Sequence, residues 1–136
     1  MKTELQQDDY EALAAFRYAM RKFLRVSKVV LAKAGLTPEQ YEALLALKVS
    51  GDSAGLNIGE LSERLQVKHH TAVSLVGKLV AGKLVDRAMG NEDRRYVNLE
   101  LTARGKGLLK RMAAVHRREM RARSGEMIEA LVRLQK

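Results

Sequence analysis

The chain has 136 residues, 46% of them apolar, with one proline, no cysteine, and 25 Lys and Arg against 16 Asp and Glu for a net charge of +9. That composition describes one compact domain with enough apolar mass for a core, and it excludes disulfides, Cys-containing zinc sites, thiol nucleophiles and thiol redox switches. No apolar run approaches the roughly 20 residues of a membrane span, and the opening Met1-Lys2-Thr3-Glu4 lacks an apolar leader core, so a cytoplasmic protein without a membrane partner is expected.

The charge is unevenly placed. Residues 1–56 carry 8 basic and 7 acidic side chains, residues 57–101 carry 7 and 6, and residues 102–136 carry 10 and 3. The surplus, from Arg104 through Lys110, Arg111, Arg117 and Arg118 to Arg123, reads as the solvated face of a helix or as a surface that attracts an anionic partner.

In chain order, Leu13, Phe16, Met20, Phe23 and Val30 recur at spacings of three and four, with Ser27 in the slot before the last. This predicts a helix with a narrow apolar seam. Gly35 ends it, and Thr37-Pro38-Glu39-Gln40 has the capping residues of a second helix with a buried stripe of Tyr41, Leu44, Leu45 and Val49. Gly51 to Gly55 is a loop. Asn57-Ile58-Gly59-Glu60 caps a short helix with Ile58, Leu61 and Leu65 inward, and a turn at Val67-Lys68 leads to a helix from His69 to Gly82. At 100° per residue its Ala72, Leu75, Val76, Leu79 and Val80 share one side, opposite His70, Ser74, Gly77 and Lys78.

Leu84 to Arg87 and Tyr96 to Leu101 read as strands around a polar hairpin tip, the second with Val97, Leu99 and Leu101 alternating against polar residues. Thr102 caps a long helix with a stripe of Leu108 or Leu109, Met112, Val115 and Met120. Ser124 is the candidate cap of a separate last helix carrying Met127, Ile128, Leu131 and Leu134.

The fold class expected from this order is mainly α with a small β-hairpin wing: a winged helix-turn-helix over residues 36–101, within one domain, with helical dimerisation regions at 8–34 and 102–136. In such an arrangement the second helix of the pair enters a major groove. Candidate DNA-contacting residues on it are His69, His70, Thr71, Val73 and Ser74, with Lys78 placed for a phosphate. The apolar seam and stripes exceed what the small reading head could cover, which points to a homodimer.

Four segments follow one another along the chain: Leu36-Thr37-Pro38-Glu39-Gln40-Tyr41, Ile58 through Leu65, Asp93-Arg94-Arg95, and Leu101-Thr102-Ala103-Arg104-Gly105. Together they make the chain resemble the multiple antibiotic resistance regulator (MarR) family of bacterial transcription factors. The resemblance implies a homodimeric repressor of a palindromic double-stranded DNA operator, with half-sites about one helical turn apart and release by a small aromatic or anionic effector. It implies a wing in which Arg95 enters the minor groove while Asp93 orients it; Arg94 reads equally as solvated wing charge. Arg17, Tyr18 and Tyr41 are the candidate effector-binding residues, Tyr41 reading equally as core. Two segments depart from the family pattern: Lys68-His69-His70 stands where small capping residues are usual, and the glycine of Ala81-Gly82-Lys83-Leu84-Val85 comes one place early.

No cofactor and no metal site is expected, because His69 and His70 are adjacent and His116 has only Glu119 nearby at helical spacing. The chain carries no nucleophile elbow, phosphate loop or zinc-protease motif, which argues against an enzyme. The rival expectation is a winged helix that binds protein, or a non-specific binder of nucleic acid or anionic surfaces through residues 104–123.

Overall fold

Three of the helices begin where a side chain accepts from an amide that the first turn leaves unpaired. The computed structural model describes residues 4–89 and 97–136 and contains, in order, α1 (Gln7–Lys33), α2 (Pro38–Ala54), α3 (Ile58–Leu65), α4 (His69–Ala81), β1 (Val85–Met89), β2 (Val97–Leu101) and α5 (Ala103–Gln135). Thr37 Oγ1 accepts from the Gln40 amide at 3.2 Å, and Gln40 Oε1 accepts from the Thr37 amide at 2.9 Å. Asn57 and Glu60 make the same reciprocal pair at 2.8 and 3.1 Å, so both capping boxes expected from the sequence form.

The reading head is α2, α3, α4 and the hairpin. β1 and β2 pair antiparallel with Val85 opposite Leu101 and Met89 opposite Val97, and the Leu99 amide donates to the Leu56 carbonyl at 2.8 Å, adding a single bridge to the ribbon. Leu44, Leu61, Val76, Leu79, Val85 and Leu99 are fully enclosed between these elements, with Leu31 from the end of α1. Each such side chain contributes roughly 1.5–3 kcal/mol by leaving water.

The arm is α1 and α5 packed along each other in antiparallel fashion. Ion pairs hold the far end: Arg133 reaches Asp8 and, at 3.3 Å, Glu11, while Lys22 meets Glu126 at 3.4 Å. Two expectations fail here. The separate last helix is absent; α5 runs unbroken for 33 residues through Ser124 and Gly125. Ser124 Oγ donates to the Arg121 carbonyl at 3.4 Å instead of capping a new start, and without a proline nothing forces a break. The seam of α1 is also rotated from the expected one. Ala12, Ala19, Ser27 and Leu31 are buried and Leu13 is 46% exposed, because small side chains allow α5 to approach closely. On α2 the same shift buries Ala43 and Leu47 and leaves Val49 outside.

Head and arm meet where α5 begins. Thr102 Oγ1 donates to the Lys83 carbonyl at 2.7 Å and accepts from the Gly105 amide at 2.9 Å, while the Thr102 amide donates to the Leu84 carbonyl at 3.1 Å. A Cβ on Gly105 would lie 2.1 Å from the Leu84 carbonyl oxygen, so only glycine lets the backbones come this close. The early glycine has a visible consequence: Gly82 takes φ −79°, suited to any residue, and Lys83 takes the left-handed φ of +61°. Among the described residues, no helix is long and apolar enough to cross a membrane.

Candidate nucleic-acid interface

The turn between α3 and α4 is set by Gln66, which ends α3 in the left-handed conformation at φ 55° with its amide bonded to the Glu63 and Ser62 carbonyls. From there Lys68 enters α4 with extended backbone and no side-chain cap. The first turn of α4 therefore presents unpaired amides and no acidic residue, a combination that attracts anions. Ala72, Leu75, Val76 and Leu79 turn into the core, as their spacing predicts, and Val80 lies half-buried beside them.

The remaining face is what the head leaves outside. His69, His70, Thr71, Val73, Ser74 and Lys78 are all exposed along it, so α4 gathers the six candidate contacts on one surface. Val73, at 42% exposure, is an apolar side chain amid hydroxyls, imidazoles and a lysine. Gly77 has nothing within 4 Å of where its Cβ would stand, so α4 is open to close approach at that turn. Asp93, Arg94 and Arg95 lie outside the described residues; of the strands that lead to them, β1 packs against α4 and β2 pairs with β1. Among the described residues, no group of three His, Asp or Glu side chains could hold a metal.

The candidate effector residues fall in two environments. Tyr41 is buried in the head, where burial raises its phenol pKa, whereas Arg17 and Tyr18 are exposed on α1, with the Lys22 ammonium 4.5 Å from the Tyr18 ring centroid.

Tyr41 belongs to a joint that sequence reasoning did not anticipate. Its ring stacks on His116 of α5 with centroids 4.4 Å apart and planes 20° from parallel, and Phe23 of α1 meets the same imidazole edge-on at 6.1 Å. His116 Nδ1 lies 2.7 Å from the Met112 carbonyl, which can only accept, so Nδ1 carries a proton. Nε2 then pairs with Ser27 Oγ at 2.6 Å. Three elements, α1 and α5 from the arm and α2 from the head, are pinned at one buried imidazole. The available signal was Ser27, a hydroxyl at a seam position that requires a partner; nothing in the spacing identified that partner as a residue 89 positions away.

Comparison with known proteins gives this geometry a lineage. Residues 34–95 match the sequence model of the MarR family. The HTH-type transcriptional repressor MdtR of Bacillus subtilis is 34% identical over 73 residues, covering 54% of this chain and 45% of that protein. The HTH-type transcriptional regulator TtmR of Methylorubrum extorquens is 34% identical over 107 residues, covering 79% and 53%. The chain thus spans about half the length of these curated relatives. A mutant MepR of S. aureus, solved bound to an oligodeoxyribonucleotide, shares the fold with a TM-score of 0.69 at 22% identity, over 94% of this chain and 99% of that one. The matched segment, the relatives and the head with its helix pair and hairpin agree: residues 34–95 form a MarR-family segment, and the chain has the winged-helix fold of that family's solved structures.

Proposed function

We propose that this protein is a sequence-specific DNA-binding transcriptional regulator, working as a homodimeric repressor of a palindromic operator and released by a small molecule. The observation that carries the reading is α4: its outward face, from His69 to Lys78, is acid-free, uncapped at its start and made of side chains that reach base edges and phosphates. Asp93 and Arg95 would serve the minor groove in this reading, with Arg94 on the backbone. Dimerisation is supported by the arm, where Leu13, Leu24, Met120, Ile128, Leu131 and Val132 stand exposed on an otherwise charged pair of helices. Two heads related by a two-fold axis read two half-sites about one helical turn apart. Arg17, Tyr18 and Tyr41 are the residues proposed for effector contact, Tyr41 lying in the joint that links arm and head.

The test is selection from random duplex DNA with the purified protein, then binding to the winning site across a salt series. The expected result is an inverted repeat, a steep loss of affinity with salt, and a salt slope reduced by about one when Lys78 becomes alanine. Weak binding that ignores sequence would overturn the reading in favour of a non-specific binder of anionic surfaces.

A further inference from the structure

The arm has two unlike flanks. At 100° per residue, Leu13, Met20 and Leu24 fall on one side of α1, and Lys22, Arg25, Val26 and Val29 on the other. The first flank is the apolar one assigned above to the dimer. The second borders an open groove of about 370 Å³ between α1 and α5, rimmed by Lys22, Arg25 and Arg123 with a floor of Val26, Val29 and Val30.

Two of the three cations are engaged: Lys22 with Glu126 and Arg123 with Glu119, each at 3.4 Å. Arg25 makes no ion pair or hydrogen bond with any described residue. An uncommitted guanidinium beside a valine floor is a two-part recognition surface, one part for an anion and one for a hydrocarbon, and its volume falls within the roughly 300–1,000 Å³ usual for small-molecule sites. The lining contains no aromatic ring, so nothing there stacks on a flat ligand. Val29 is 53% exposed and offers the apolar surface that an alkyl chain would cover.

We propose that this groove is a binding site for a medium-chain aliphatic carboxylate, with the carboxylate on Arg25 and the chain along Val26, Val29 and Val30. Val26 and Val30 also wall the narrow space that reaches Ser27, His116 and Glu119, so a chain in the groove lies one side chain from the joint with the head. As a regulatory site it rests on the proposed function, as a second effector place apart from Arg17, Tyr18 and Tyr41. As a binding site it is independent.

The experiment is calorimetric titration of the full chain with octanoate, with octanol, acetate and benzoate as comparisons. One octanoate per chain is expected, with the other three bound at least tenfold more weakly. Arg25→Glu and Val29→Asp, both at exposed positions, should each weaken octanoate at least tenfold while the circular dichroism spectrum is unchanged; Arg25→Gln repeats the measurement should the charge reversal unfold the arm. The His116 ring resonances should move in step with the titration. Octanol or benzoate binding as well as octanoate, indifference to both substitutions, or octanoate binding that leaves His116 unmoved would each overturn the assignment. DNA binding by a protein that takes up no octanoate sinks this inference alone; octanoate uptake without DNA binding sinks the regulator reading alone.

Discussion

Head and arm are built on opposite principles. The head encloses large side chains, Leu44, Leu61, Leu79 and Leu99 among them, while the arm encloses Ala12, Ala19 and Ala130 and leaves Leu13, Leu24, Ile128 and Leu131 outside. A core of leucines supports itself, because each buried side chain adds its full transfer free energy. A seam of alanines brings two backbones close with little apolar area removed from water, so the arm taken alone gains less from burial than the head does. The head is thus a finished unit, and in the homodimer proposed above the arm would be half of one. The two are joined by glycine at 105, where backbone touches backbone, and by a histidine at 116 that serves both.

The largest expected effect is in the head. Leu61→Ala, at a site with 0% exposure, should cost about 2–5 kcal/mol by urea unfolding, and the cost should not depend on protein concentration. At the join, Gly105→Ala should cost about 3 kcal/mol, since the added carbon meets a backbone carbonyl that cannot move aside alone; a loss under 0.5 kcal/mol would mean the approach is looser than the structure has it.

In the arm, Ile128→Asp should do something different in kind. The wild-type midpoint should rise with concentration, and this dependence should vanish in the variant together with half the sedimenting mass, while the isolated chain loses no more than about 0.5 kcal/mol. A variant that remains dimeric would break the contrast between the two regions.

Smaller effects sharpen it. Gly82→Ala combined with Lys83→Gly places glycine where φ is +61° and a side chain where φ is −79°, and should stabilise the head by about 0.5–1 kcal/mol in thermal melts. Smallest is Glu42→Gln. Burial, reinforced by Glu39, raises the Glu42 carboxyl above the usual range, so its ionisation weakens the folded state above the raised pKa and not below the unfolded one. Glutamine should therefore raise the midpoint slightly at pH 7, the gain fading as pH falls through the carboxylate range.

What was legible in the sequence was local or periodic. The capping pairs Thr37 with Gln40 and Asn57 with Glu60 act over three residues, and the two faces of α4 follow from helical geometry with a core on one side only. The seam of α1 differs from the one its spacing predicts because hydrophobicity alone selects Leu13, whereas close helix packing selects Ala12 and Ala19, the latter beside Met20. The break at Ser124 was expected because serine caps helices, yet a serine in mid-helix can bond to a preceding carbonyl and let the helix continue.

The sequence by itself determined the order of elements up to the start of α5, the outward chemistry of α4 and the family that residues 34–95 match, since these depend on residues near one another along the chain. Only the tertiary structure decided that Ser27 of α1, Tyr41 of α2 and His116 of α5 share one buried joint, that Gly105 touches Leu84, and that Arg25 and Arg123 face a common groove. Those pairings join residues up to 98 positions apart. No period or cap encodes them, because they arise from how α1 and α5 pack against each other and where the head is anchored between them.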